Sequence, residues 1–260
     1  MSQNFDPNQN YYSFNKKNSV PIVFIHGVGL DHQMWDYQIN YFNKYSTLTY
    51  DLLGHGKTPC DKDKLSLRDF SNQLLEILDH LEIEKINLIG FSLGSLIALN
   101  FSSYFQKKVE KLILIGTTYK RSNEERSLVV DRYNQAKLNK PISKQALKRW
   151  FSDKYLENNP KTYDLFMKIL NKEPEDHKNF IKAYELFANY YDDFEAIKKI
   201  DRKTLVMTGS DDTGSTPAMS KELVKDLVNS TYIEIKNGKH LCSIECADDV
   251  NMNIKKFINN

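Results

Sequence analysis

One short segment limits the possible folds more than any other. Ile86 to Ile89 is an apolar run, Leu93 to Phe105 has helical spacing and length, and Gly90-Phe91-Ser92-Leu93-Gly94 stands between them. A strand that feeds a helix this quickly needs a sharp turn, and glycines flanking the serine allow that path without a Cβ clash. In this setting the spacing G-x-S-x-G predicts a turn that holds the Ser92 hydroxyl exposed at the top of a sheet and points the Leu93 N–H toward the same place. Chance supplies the bare pentapeptide readily; the strand before it and the helix after it give it weight.

The same alternation runs through the chain. Val20 to Ile25, Ser46 to Tyr50, Ile86 to Phe91, Leu112 to Ile115, Thr204 to Thr208 and Thr231 to Ile235 read as strands. Several are apolar almost throughout, as central strands of a parallel sheet covered on both faces must be. Ser66 to Leu81 and Leu93 to Phe105 read as helices, which puts the chain in the α/β class, with a mostly parallel sheet and helices on both faces. The rhythm stops between Gly116 and Thr204. That stretch shows no strand pattern, is rich in Lys, Glu, Asn, Tyr and Phe, and is cut into helix-length pieces by Pro141, Pro160 and Pro174. Structureless loops of such length are uncommon. Residues 119–197 are therefore expected to form a helical cap inserted into a core made of residues 1–118 and 198–260. Ordinary peripheral helices are the plainer alternative.

Composition removes several classes of partner. The 260 residues carry 36 Lys+Arg against 34 Asp+Glu, a formal net charge of +2, so no whole-molecule field points to nucleic acid or an anionic membrane. No apolar run approaches the roughly 20 residues of a membrane helix, and the first residues lack the basic cluster and apolar stretch of a secretory signal. A cytoplasmic protein is expected. Three cysteines, Cys60, Cys242 and Cys246, are too few and too uneven for a disulfide framework and read as free thiols. Nothing in the composition speaks to oligomeric state.

A second chemical feature follows the first central strand. His26-Gly27-Val28-Gly29 is a glycine-lined loop at a strand's carboxyl end, able to supply a backbone N–H to negative charge developing on a carbonyl oxygen. Val28 is assigned that donor, with Leu93 as the other. His26 precedes Ser92 in the chain and is read as a brace for the loop rather than a base.

These two motifs, with Asp51-Leu52-Leu53-Gly54-His55-Gly56-Lys57-Thr58 between them, resemble the α/β-hydrolase superfamily in order and in placement after strands, over nearly the whole chain. The resemblance implies a serine nucleophile followed in the chain by an acid and then a histidine. Asp212, in Gly209-Ser210-Asp211-Asp212-Thr213-Gly214 after the strand through Met207, matches the acid, with Asp211 as its neighbouring alternative; His240, after the strand ending at Ile235, matches the histidine. No metal and no cofactor is implied, and His240, Cys242 and Cys246 lack a fourth partner for zinc. Where many relatives carry an arginine before this Gly-His-Gly, the chain has Leu53; His55 is read as loop architecture.

The finer resemblance, carried by GTTYKRSNEERS, Lys148-Arg149-Trp150-Phe151 and GSDDTGSTPAMS, is to 3-oxoadipate enol-lactonases and related small ester or lactone hydrolases. It implies a small carboxylate-bearing ester or lactone, held by cap residues. Arg121 and Arg149 suit carboxylates; Trp150 and Trp35 are candidate walls of the pocket; Lys120 and Arg126 are further cations near the base of the cap. Two alternatives stay open: a C–C bond hydrolase of the meta-cleavage type using the same triad, and a hydrolase-fold protein that binds a ligand without turning it over.

Overall fold

A computed structural model describes residues 2–138 and 143–260; Pro141, read above as a helix divider, lies outside them. Eight strands form one sheet: β1 (Ser2–Phe5), β2 (Tyr11–Asn15), β3 (Ile22–Ile25), β4 (Thr47–Tyr50), β5 (Ile86–Phe91), β6 (Val109–Ile115), β7 (Lys203–Gly209) and β8 (Ser230–Ile235). Their spatial order is β1-β2-β4-β3-β5-β6-β7-β8. From β4 to β8 every pairing is parallel, while β2 runs antiparallel to both β1 and β4.

The period of two explains how this sheet is covered. Val23 and Ile25, Leu88, Leu112 and Leu114, and Val206 face one apolar cluster, which includes Leu74 and Ile77 of the helix Leu67–His80 and Ile97 and Phe101 of the helix Leu93–Tyr104. Ile22 and Phe24, Ile89, Ile113 and Ile115, and Leu205 and Met207 face the other, with Val250 and Ile254 of the helix Ala247–Asn259. Strands buried on both faces cannot alternate apolar with polar, and these do not. The helix Leu67–His80 starts on a capping box in which the Ser66 side chain and the Asp69 carboxylate each satisfy the other's backbone N–H.

The structure moves several boundaries. β3 starts at Ile22 rather than Val20, because Pro21 has no N–H to donate and Val20 is exposed. β6 starts at Val109, three residues before its apolar run, through charged Glu110 and Lys111; the latter's ammonium reaches the Ile258 carbonyl at 2.8 Å. The antiparallel hairpin β1/β2 had no periodic apolar signal to announce it. It closes on Asp6, whose Oδ1 accepts the N–H groups of Asn8 and Asn10, with Gln9 at φ 62°.

Between β6 and β7 the described residues form six helices: Asn123–Lys137, Ser143–Trp150, Asp153–Asn158, Pro160–Leu170, Pro174–Ala188 and Phe194–Lys198. Pro160 and Pro174 sit in first helical turns, where the missing N–H costs nothing. Val129, Tyr133 and Ala136 pack on Phe180, Tyr184 and Ala188 in an apolar cluster of their own. Leu147, Phe151 and Phe166 join the sheet's second cluster.

Candidate active site

The serine sits where the strand turns. Ser92 has φ 54° and ψ −115°, a conformation a non-glycine residue keeps only when its surroundings hold it there. Two glycines make that possible by allowing backbones to touch: a Cβ on Gly90 would lie 2.2 Å from the Gly94 carbonyl oxygen, and one on Gly94 would lie 2.3 Å from that of Ile25. The Ser92 N–H is held by the Ile115 carbonyl at 2.9 Å, and the Ser95 hydroxyl donates to the Gly90 carbonyl at 2.7 Å. Leu93 is the first residue of the helix, so its N–H has no intrahelical acceptor and lies at the positive end of the helix dipole.

Loops after β7 and β8 bring Asp212 and His240 together. The His240 Nδ1 lies 2.6 Å from Asp212 Oδ2, and the other oxygen, Oδ1, accepts the N–H groups of Gly214 and Ser215 at 2.8 and 2.9 Å. The Asp212 side chain is buried and its Oδ2 faces Nδ1, so the neutral tautomer of His240 that fits this contact is the one with its proton on Nδ1. Asp211 is exposed and takes a hydrogen bond from Ser210 instead. The His240 ring packs 4.8 Å from that of Phe91, and Gly116, at φ +59°, gives it room: a Cβ there would lie 3.3 Å from His240 Cε1. Cys242 is buried in the core and Cys246 points at the Lys236 carbonyl; all three cysteines are free.

The loop after β3 is braced by two neutral histidines. His26 Nδ1 donates to the Gly27 carbonyl (2.8 Å) while Nε2 accepts the Leu52 N–H (2.9 Å). His55 Nδ1 likewise faces the Leu53 carbonyl (3.1 Å), and its Nε2 accepts the Gly29 N–H (3.0 Å). A carbonyl can only accept and an amide only donate, so both rings are Nδ1–H tautomers, and burial pushes both below the usual histidine range. Asp51 ties the loops together, accepting from the N–H of His32, the His32 ring and the Lys57 N–H, each at 2.8 Å. Burial would raise this carboxyl, but the His32 hydrogen bond and charge outweigh it and hold it low.

These parts meet in one cleft, partly open to solvent and lined by Gly27, Val28, Ser92, Asp212 and His240 on the sheet side. Arg121, Arg149 and Trp150 border the same space, together with Arg132, Val129, Tyr184 and Phe187. Arg132 carries no signal in the sequence that separates it from a solvated charge on the face of Asn123–Lys137. Trp35 is a correction. It is fully buried, 5.1 Å from Phe24 in the sheet's second cluster, and does not border the cleft; its place early in an amphipathic segment made it a core residue. Lys120 pairs with Asp226 at 2.8 Å, and Arg126 donates to the Tyr190 carbonyl at 2.6 Å over the Tyr191 ring, so neither lines the cleft.

The fold and the cleft define a class of protein. A family model described as alpha/beta hydrolase fold matches residues 20–246, and the chain belongs to that family. Among curated relatives, (E)-2-((N-methylformamido)methylene)succinate hydrolase of Acinetobacter baylyi is 28% identical over 96% of this chain and 95% of its own length. 3-Oxoadipate enol-lactonase 2 of the same species is 24% identical over 91% of this chain and 87% of its own. Among solved structures, the enol-lactonase from Burkholderia xenovorans LB400 superposes with a TM-score of 0.87 at 23% identity, covering 96% of this chain and 97% of that one. No helix among the described residues is long and apolar enough to cross a membrane.

Proposed function

We propose that the chain is a serine-nucleophile hydrolase of small, carboxylate-bearing esters or enol-lactones that works through an acyl-enzyme. The observation that carries this reading is the 2.6 Å contact between His240 and Asp212 in the same cleft as a serine held at φ 54°. Ser92 Oγ attacks the acyl carbon while His240 Nε2 takes its proton, and Asp212 holds the ring and stabilises the imidazolium. The carbonyl oxygen becomes an oxyanion between the N–H groups of Leu93 and Val28. The Gly29 and Leu30 amides are occupied by His55 and the Gly27 carbonyl, so the loop's donor stands before them in the chain, and Val28 is assigned that role. His240 then protonates the leaving oxygen, and water repeats the sequence to free the acid. The helices between β6 and β7, residues 119–197, act as a cap over this chemistry.

A second reading has support in the Acinetobacter relative, whose name makes it a hydrolase of (E)-2-((N-methylformamido)methylene)succinate, a compound with C–N bonds. The same residues would open such a C–N bond, with nitrogen as the leaving atom.

The test is burst hydrolysis of p-nitrophenyl acetate with intact-mass detection of the acyl adduct. The wild type is expected to acylate, and Ser92→Ala to lose roughly 10⁴-fold or more in turnover with no adduct. An adduct that survives in Ser92→Ala would sink the assignment.

A further inference from the structure

We propose a second binding site, at the opposite end of the sheet from the cleft, that takes an aliphatic carboxylate: its alkyl chain in an apolar hollow, its anionic head between Lys203 and Lys256. The inference is independent of the hydrolytic reading, because the hollow shares no residue with the lining of the cleft.

Asp212 and His240 follow the carboxyl ends of β7 and β8, whereas this hollow opens at their amino ends. Lys203 is the first residue of β7 and Thr231 the second of β8. The period of two sets Lys203 and Leu205 on one face beside Thr231 and Ile233, and the helix Ala247–Asn259 packs on that face. Its Val250 and Ile254 are fully buried there. Past Phe257 the helix ends, and β8 is the last strand of the sheet, so the start of the two strands stays uncovered: Thr231 is exposed and Ile233 half-buried. What remains is a hollow of about 310 Å³ floored by Leu205, Ile233 and Phe257. An apolar cavity of roughly 150 Å³ already accepts benzene, so this space has room for an alkyl chain.

The rim is positive. Lys203 and Lys256 border the hollow, no Asp or Glu does, and neither lysine forms an ion pair among the described residues. The ordinary task of cations at such a place is to satisfy the last carbonyls of the helix. Lys111 already does so, its ammonium donating to the Phe257 and Ile258 carbonyls at 3.2 and 2.8 Å. Lys203 lies instead over the Phe257 ring, 5.5 Å from its centre, a contact that attracts the charge but leaves the N–H donors free for an acceptor. An unpaired ammonium therefore stands directly beside an apolar floor. A molecule with an alkyl chain and a carboxylate meets both features at once, which neither a neutral chain nor a small anion does.

The experiment is an amide NMR titration of the whole isotope-labelled chain with octanoate, butanoate and octan-1-ol. Octanoate is expected to shift the amides of Leu205, Ile233 and Phe257 to saturation. It should bind roughly tenfold or more tightly than butanoate, because its longer chain leaves water, and about threefold or more tightly than octan-1-ol, the scale of an exposed ion pair. In Lys203→Gln/Lys256→Gln the preference over octan-1-ol is expected to vanish. Thr231→Trp, which fills the hollow from an exposed position, should abolish binding, and the amide spectra show that each variant folds. Shifts confined to residues around Ser92 and His240, equal affinity for octanoate and octan-1-ol, a preference that survives without both lysines, or no saturation up to millimolar concentration would each overturn the proposal. So would a dimer in sedimentation that Thr231→Trp dissociates, since a second copy of the chain would then be the occupant.

Discussion

At the scale of the residue, the proposed chemistry rests on groups that are not themselves reactive. His55 is an example: its unprotonated Nε2 holds the Gly29 N–H, which fixes the loop that carries Val28. Protonation removes that acceptor. The folded-state pKa of His55 is depressed by burial, as is that of His26, so the unfolded chain binds protons that the folded chain refuses. Stability from these groups is complete above about pH 6.5 and declines as the pH falls below it, by up to about 1.4 kcal/mol per pH unit for each proton. His32 works in the opposite sense. Burial alone would lower it, but Asp51 holds it above the usual range, so its contribution is present below about pH 6.5 and lost as the pH rises. Replacing His55→Gln keeps an acceptor that does not titrate and leaves His32 in place. Urea unfolding between pH 7 and 5 should show a shallower acid-side loss in this variant, by about one proton; parallel curves would show that His55 does not report on the acid limb.

At the scale of the element, the question is what joins the helices after β6 to the loop bearing His240. Three contacts do so. The Leu241 N–H, next to His240, donates to the Trp150 carbonyl at 3.0 Å, and the Lys239 ammonium donates to the Lys148 carbonyl at 2.9 Å. Glu245 bridges both sides, accepting from the backbone N–H of Ser152 at 3.2 Å, from the Ser152 hydroxyl, and from the Lys239 N–H at 3.4 Å. None of this is visible from spacing, because Ser152 and Glu245 lie far apart in the chain and neither belongs to a motif. Glu245→Ala should cost about 1–3 kcal/mol in urea unfolding, as the part-buried donors of Ser152 and Lys239 lose their acceptor. It should also lower kcat more than it raises KM, because the histidine loop loosens while the guanidinium wall stays. A variant that loses stability with kcat intact would make Glu245 a structural tie alone.

At the scale of the whole molecule, near-neutral net charge coexists with a local concentration of positive charge. The sum of +2 hides it, because the lining of the cleft sets three arginines, Arg121, Arg132 and Arg149, against one acid, Asp212. A cleft with an excess of positive charge attracts anions from solution, and salt screens that attraction over about 8 Å at physiological ionic strength. For a dianionic ester, kcat/KM should fall several-fold between low salt and about 0.5 M, whereas for neutral p-nitrophenyl acetate it should change little. Steady-state rates across a salt series check this, and identical slopes for the two substrates would contradict it.

The amino-acid sequence by itself determined the α/β class, the central strands β3 to β8 to within a few residues, and the positions of Ser92, Asp212 and His240 relative to strand ends. Those signals are local: apolar runs, a glycine pair around a serine, and short motifs that follow strands. It did not reveal the hairpin β1/β2, whose pairing depends on the neighbouring edge of β4. Nor did it separate Asp212 from Asp211 on its own residues, or Arg132 from any other charged residue of a helix, or Trp35 the core residue from Trp35 the pocket wall. Each of those depends on which neighbour a side chain meets across long stretches of chain. Burial, partner and field belong to the packed structure, and only the tertiary fold decided them.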